Sequence, residues 1–381
     1  MSAIFQLRVL FETDMDRNKR IIRTSYVGVA ANVLLAAFKA VVGLAAGSVA
    51  IIMDSVNNLT DVLSSVITIV GTHLSSKPAD HNHPFGHGRI EYFSAIIIAI
   101  IVLMAGVGSL IESVRKIIEP TEPQYTTVTL AVIIVAIGVK LVLGRYVKRT
   151  GEQLKSDALI ASGADALFDA LVTLATLVSA GIMLLWGVNL DGIFGSLISL
   201  VILKAGYEML SSPINELLGS RISPEFVAEL KEEVMSFKEV HGVFDIIMNN
   251  YGPDTIIGSL HVNVSETMTA HEIHRLTRSI SQRVYQKFHV ILTVGIYAIC
   301  TDHSDSGRLQ HDVMTFAAGH EGVLQVHAFY YYEDRNLITL DVVPKDEVKE
   351  PAKFVDVIES DLRHQFPDYH FSFVVDHTYS E

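Results

Sequence analysis

Cysteine is nearly absent. Cys300 stands alone in 381 residues, which excludes an internal disulfide and a cysteine metal cluster. Placed in an apolar strand, it reads as a core residue. Charge is scarce as well: Asp, Glu, Lys and Arg make up 19% of the chain, against about 25% in an ordinary soluble domain. Basic residues are the rarer sign, 29 against 42 acidic, for a formal net charge of −13. That balance argues against a nucleic-acid partner. A cleavable leader is not expected either, because residues 1–23 are mixed and charged with no apolar core. The first apolar helix is therefore expected to act as its own insertion signal.

Apolar residue types are abundant, 50% of the chain, and the long runs fall almost entirely before residue 213. Six segments stand out: 24–46, 48–72, 90–113, 126–147, 157–186 and 191–211. A helix of about 20 residues crosses roughly 30 Å of hydrocarbon, so each segment is long enough to span a bilayer. The short break around Gly47 and Ser48 predicts a tight hairpin between the first two. Lys and Arg crowd one set of loops: Arg17, Lys19, Arg20 and Arg23, then Lys77 and Arg89, then Arg145, Lys148, Arg149 and Lys155. The opposite side holds mainly Arg115 and Lys116, beside Glu112, Glu119 and Glu122. This bias predicts a cytoplasmic N-terminus and places everything after residue 212 in the cytoplasm.

Ser212-Pro213 is expected to end the sixth helix, and the pattern changes there. Residues 224–240 and 270–288 read as amphipathic helices, and 243–249, 256–264 and 290–299 as strands, with Tyr251-Gly252-Pro253-Asp254 as a turn. This order predicts an α+β sandwich with helices on one face of a small sheet. The unit then repeats. Residues 241–263 align without gaps on 321–343, an offset of 80, pairing Gly242 with Gly322, Asp254 with Asp334 and Leu260 with Leu340. A helix over 354–366 and a strand over 369–376 follow. The soluble part therefore reads as two tandem copies of one module, joined by a polar linker from Thr301 to Gly307.

Two polar pairs lie inside the apolar segments. Asn57 and Asp61 are four apart in the second, and Asp165 and Asp169 are four apart in the fifth. Four-residue spacing puts both members of a pair on one helical face. Two such faces brought together would surround one point with three carboxylates and an amide. Oxygen-only ligand sets suit Mg, Ca and Mn, and acidic residues within spans default to function. The alternative is structural, with these groups linking helices or pairing with Lys39 or Lys140. Asp54, seven before Asp61, falls on the same stripe as an outer ligand, a proton site or a lysine partner. Gly163, Ala164, Ala166 and Ala170 would let helix backbones approach closely. The loop KPADHNHPFGHGRIE (77–91) places Asp80, His81, His83 and His87 within eight residues. These are metal-ligand types, although a structural loop with capping histidines accounts for them equally well.

The strings SVAIIMDSVNNLTDVLSS, HPFGHGRIEYFSA and SGADALFDALVTL, in that order on six apolar segments, resemble the cation diffusion facilitators. The resemblance covers roughly residues 15–302. It implies a six-helix transmembrane bundle (24–212) behind a cytoplasmic N-terminal segment (1–23), and a cytoplasmic ferredoxin-like dimerisation domain (213–302). A second such module (308–381) lies beyond the family's minimal architecture. Implied too is a homodimeric, multi-pass carrier in the cell membrane, with no prosthetic group, that exports divalent metal against protons by alternating access. The implied transport site is Asn57, Asp61, Asp165 and Asp169; Asp80, His83 and His87 match the family's loop site. Zinc members carry His at the first position of one or both pairs, and its absence here resembles the manganese branch; export of Zn2+ or Fe2+ is the alternative. His261 falls where the family often has a soluble-domain ligand, with His271 and His274 nearby. The third strand, ending Tyr297-Ala298-Ile299-Cys300-Thr301-Asp302, lacks the zinc members' His-x-Asp. His327, His370 and His377 of the second module could bind metal, but scattered strand histidines are more often surface residues, and they read as such. Rival classes are a membrane-embedded metallohydrolase built on Asp80, His83 and His87, and a membrane-anchored metal sensor or scaffold.

Overall fold

The structure is a computed structural model. It describes residues 2–45, 49–119, 127–186, 190–252, 255–302 and 304–377. The chain divides into two compact units, taken separately below.

The first unit is helical: α1 (Ser2–Ala45), α2 (Val49–Ser75), α3 (Ile90–Ile118), α4 (Thr127–Leu154), α5 (Asp157–Trp186) and α6 (Asp191–Leu218). Among the described residues, five stretches are long and apolar enough to cross a membrane: Asp16–Ala45, Ile90–Ile118, Leu130–Leu154, Asp157–Ser179 and Gly192–Leu218. Side chains of α2 are described without interruption only from Asp61 to Ser75, a shorter apolar stretch. The expected hairpin at Gly47 and Ser48 lies outside the described residues.

Polarity in this unit is inverted relative to a soluble protein. Leu34, Leu44, Met104, Ile118 and Val142 are exposed, while Asn32, Asn58, Ser64, Ser65, Thr68 and Thr72 are buried. A large apolar exterior fits a lipid solvent. Buried hydroxyls close locally onto the preceding turn, Ser25 donating to the Ile21 carbonyl at 3.1 Å and Thr68 to that of Ser64 at 3.0 Å. The helices pack mainly as the pairs α1 with α2, α3 with α6 and α4 with α5, and α2 also meets α5. At one end of the unit, Arg17 makes a two-pronged ion pair with buried Glu91 at 3.1 and 3.0 Å. The same guanidinium donates to the Leu154 carbonyl at 2.8 Å, tying α1 to α3 and to the α4–α5 turn.

Two expected boundaries move. The segment before residue 24 is continuous with the first apolar helix in α1. The sixth helix runs through Pro213 to Leu218 and stops at Gly219, with φ +95°. Proline removes one N–H but does not forbid a helix whose neighbouring turns are packed; the left-handed glycine is the stronger stop.

The second unit holds two three-stranded sheets of like order, β1-β2-β3 and β4-β5-β6. The first set comprises α7 (Pro224–Met235), β1 (Gly242–Asn250), β2 (Ile256–Ser265), α8 (Ala270–Phe288) and β3 (Val290–Ile299). The second comprises α9 (Asp305–Ala318), β4 (Val323–Tyr332), β5 (Leu337–Pro344), α10 (Pro351–Gln365) and β6 (His370–Val375). In each, the middle strand pairs parallel with the last, β2 with β3 and β5 with β6, as the intervening helix requires. The expected linker is shortened, because α9 begins at Asp305 with Ser304 accepting from the Gly307 N–H at its N-cap. Likewise Ser223 caps α7 just before Pro224, and Thr269 with Glu272 form a reciprocal capping box on α8. Leu230, Leu260, Val262, Ile280 and Val284 centre one core, and Val313, Ile338, Leu340, Ile358 and Leu362 the other. Pro253 and Asp254 of the expected turn lie outside the described residues.

Candidate functional site

The carboxylates expected on α2 and α5 meet inside the helical unit. Asp61 comes from α2, Asp165 and Asp169 from α5. A cavity of about 10 Å3 is bounded by Asn32, Asp61, Ser65, Ser162 and Asp165, so a carboxylate from each helix borders the same polar space. The side chains of Asn57 and Asp54, two other expected members, lie outside the described residues.

The residue that composition and spacing left unexplained is Lys140, on α4. Its ammonium lies 2.7 Å from Asp61 Oδ2 and also donates to Asp169 Oδ2. Lys140 is 6% exposed, Asp61 13% and Asp169 28%. Asp61 and Asp169 thus share one fixed cation, with Asp165 as a third acid on the cavity that Asp61 borders. If all are ionised, the four groups carry two net negative charges, which a divalent cation balances. Lys39, a second buried lysine, on α1, reaches Asn58 Oδ1 at 3.5 Å. The approach of α4 to α5 depends on Gly163: a Cβ there would lie 2.5 Å from the backbone nitrogen of Lys148.

The loop between α2 and α3 is folded around Asp80. Its Oδ1 accepts the backbone N–H groups of Asn82 and His83 at 2.9 and 2.7 Å. The hydrogen bond from the His83 backbone, foremost, holds the Asp80 carboxyl below its ordinary range. His83 Nδ1 lies 3.2 Å from Oδ1 and His87 Nε2 lies 3.6 Å from Oδ2. The Pro78 carbonyl sits 3.3 Å from His87 Nδ1. A proton on Nδ1 there leaves the Nε2 lone pair facing Asp80, the orientation that ligating histidines need. The three expected residues are therefore brought together, each offering a ligand atom within 4.8 Å of the others.

Among the described residues, one other group of acids and histidines closes as tightly, Asp245, His327 and Asp376. His261 stands at its edge, Nδ1 2.9 Å from Asp245 Oδ2. His271 and His274 lie on α8 outside this group. His327 is not at the surface, as a strand histidine was expected to be; it is fully buried.

Comparison with known proteins gives two family matches. Residues 25–218 match the cation efflux transmembrane domain, and residues 222–296 the cation efflux protein cytoplasmic domain. The chain is 26% identical over 283 residues to the manganese efflux system protein MneP of Bacillus subtilis, covering 72% of this chain and 94% of that protein. It is 29% identical over 266 residues to MneS of the same organism, covering 68% and 89%. An uncharacterized transporter of Methanocaldococcus jannaschii is 29% identical over 260 residues, covering 68% and 91%.

Proposed function

Given that this chain belongs to the cation efflux, or cation diffusion facilitator, family, we propose that it exports Mn2+ from the cytoplasm in exchange for protons. Family membership makes it a multi-pass membrane transporter of cations and not an enzyme, which sets aside the metallohydrolase and anchored-sensor readings. The observation that carries the finer reading is the meeting of carboxylates from two helices, Asp61 and Asp165 on one small cavity and Asp61 and Asp169 on one lysine. A carboxylate-rich set without imidazole suits a hard cation such as Mn2+. The names of MneP and MneS point the same way.

In this reading α1–α6 are six spans, both termini are cytoplasmic, and the soluble unit consists of tandem ferredoxin-like modules through which two copies associate. The transport site is Asn57, Asp61, Asp165 and Asp169, with Asp54 as an outer ligand. Mn2+ arriving from the cytoplasm displaces the Lys140 ammonium from Asp61 and Asp169. The loaded bundle rocks outward and releases the ion. Protons, together with the returning ammonium, then balance the carboxylates during the reset, so both ions use one site by turns. Asp80, His83 and His87 form a separate cytoplasmic metal site beside the span ends.

The test is Mn2+ uptake driven by a proton gradient in proteoliposomes. Asp61→Asn and Asp169→Asn each lower flux at least a hundredfold while the protein still reconstitutes. Undiminished flux in either variant removes that residue from the site. A competition series with Zn2+ and Fe2+ settles the metal; preference for either over Mn2+ overturns the manganese assignment.

A further inference from the structure

We propose that the soluble unit holds a second divalent-metal site, built in one chain from both sheets, with Asp245, His327 and Asp376 as ligands. Asp245 lies on β1, His327 on β4, and Asp376 directly follows β6. Their ligand atoms lie within 4.8 Å of one another. His327 Nε2 is 2.8 Å from Asp245 Oδ1, 3.5 Å from Asp376 Oδ2 and 3.9 Å from Asp341 Oδ2. Ligands bound at about 2.0–2.2 Å to one ion sit roughly 3–3.5 Å apart, so the 3.5 Å separation already suits a shared metal and the 2.8 Å one needs only a small opening.

The decisive feature is the imidazole itself. His327 is fully buried, yet its Nε2 makes no hydrogen bond of acceptable geometry. Buried ring nitrogens ordinarily have a partner along the N–H or lone-pair direction. This one sits among three carboxylates, 2.8 Å from the nearest, without a well-aligned hydrogen bond to any of them. A single proton on Nε2 could serve only one; a metal ion on its lone pair serves several at once. The other ring nitrogen, Nδ1, lies 3.5 Å from Gln325 Nε2. Turned over, that amide presents its oxygen to an Nδ1–H instead, leaving Nε2 unprotonated for a ligand.

The surroundings complete the site. Phe244 stacks on the His327 ring, centroids 5.4 Å apart, and Tyr297 lies 5.8 Å away. The Tyr297 hydroxyl donates to Asp245 Oδ2 at 2.6 Å, leaving Oδ1 for the metal. His261 Nδ1 is likewise 2.9 Å from Oδ2 and unsatisfied. Its ring has room because Gly295 faces it on β3; a Cβ there would lie 2.1 Å from His261 Cδ2. Both strands bend to aim these groups: Asp245 has φ +50°, Ala328 beside His327 has φ +56°, and the β4–β5 register shifts between His327 and Tyr330. One imidazole with two carboxylates suits a first-row divalent transition metal. The second sheet thus supplies ligands to the first within the same chain.

The experiment uses full-length protein in detergent micelles, carrying His81→Ala, His83→Ala and His87→Ala so that the loop offers no imidazole, with Mn2+ alone as the probe. Bound Mn2+ is counted by loss of the free-ion EPR signal, and pulsed EPR reads nitrogen coupling from a ligating histidine. We expect nitrogen coupling in this parent. Asp376→Asn, at a half-exposed strand end, should lower the count by one ion per chain and abolish the coupling. His327→Gln should do the same, with far-UV circular dichroism confirming its fold. A parent without nitrogen coupling, or an Asp376→Asn protein that binds as many ions, overturns the site and leaves His327 an imidazolium held by its carboxylates. Adding Asp61→Asn keeps the outcome separate from the transport reading: it removes a different ion, whose ligands include no histidine.

Discussion

Replacing Lys140 by methionine keeps an unbranched stem on α4 and removes the ammonium held by Asp61 and Asp169. Two effects of opposite sign follow. Without added metal, the two carboxylates lose their partner. Breaking a fully buried ion pair from one side costs about 3–5 kcal/mol. Asp61 and Asp169 are 13% and 28% exposed, so solvent reduces the expected loss to about 1–3 kcal/mol. With Mn2+ present the sign reverses, because the variant's carboxylates no longer have to surrender a resident cation. If that surrender costs about 2–3 kcal/mol, Kd for Mn2+ tightens roughly 30- to 150-fold, at 1.4 kcal/mol per factor of ten. Turnover falls, since no internal cation returns to help expel the ion. Equilibrium titration in micelles reads the affinity and proteoliposome uptake reads the turnover. Thermal unfolding supplies an independent check: saturating Mn2+ at about 100 times Kd stabilises by about 2.7 kcal/mol, so Mn2+ raises Tm at lower concentration in the variant than in the parent. A variant with unchanged Kd and unchanged flux refutes the idea that the ammonium and the metal compete.

Two further outcomes follow from the same site. Asn57→His adds an imidazole where the chain has an amide, and the Zn2+ to Mn2+ transport ratio should rise at least tenfold in a competition uptake assay; an unchanged ratio locates selectivity elsewhere. Gly163→Ala places a Cβ 2.5 Å from the Lys148 backbone nitrogen, a contact with no flexible side chain to yield. Overpacking of this kind costs about 1–3 kcal/mol and separates α4 from α5, so both Tm and Mn2+ flux should drop; a fully active Gly163→Ala protein would show that the close approach does not set the position of Lys140.

Much of the site was legible because helical periodicity is strict. Once two apolar runs are long enough to span, polar residues four apart must share a face, which picks out Asp61, Asp165 and Asp169 as candidates, while the facing of the two helices comes only from the family resemblance. Lys140 was visible as a partner only in the structural alternative, where it stood beside Lys39 with nothing to choose between them. Its reach depends on how closely α4 and α5 approach, and that distance is set by a glycine opposite a backbone, not by any pattern along either helix. Pro213 misled for a related reason: one missing N–H is a local cost, and packing of the adjacent turns outweighs it until Gly219. The soluble unit repeats the lesson at the level of strands. The offset of 80 residues found both sheets, since each copy keeps its own alternation. It could not find the burial of His327, because two-residue alternation forbids adjacent Val326 and His327 from both turning inward, and here both do. The register shifts of β4 make that possible. Residues that break the period of their own element are the ones a period cannot place. In this chain His327 is such a residue, and its buried Nε2 lies among three carboxylates.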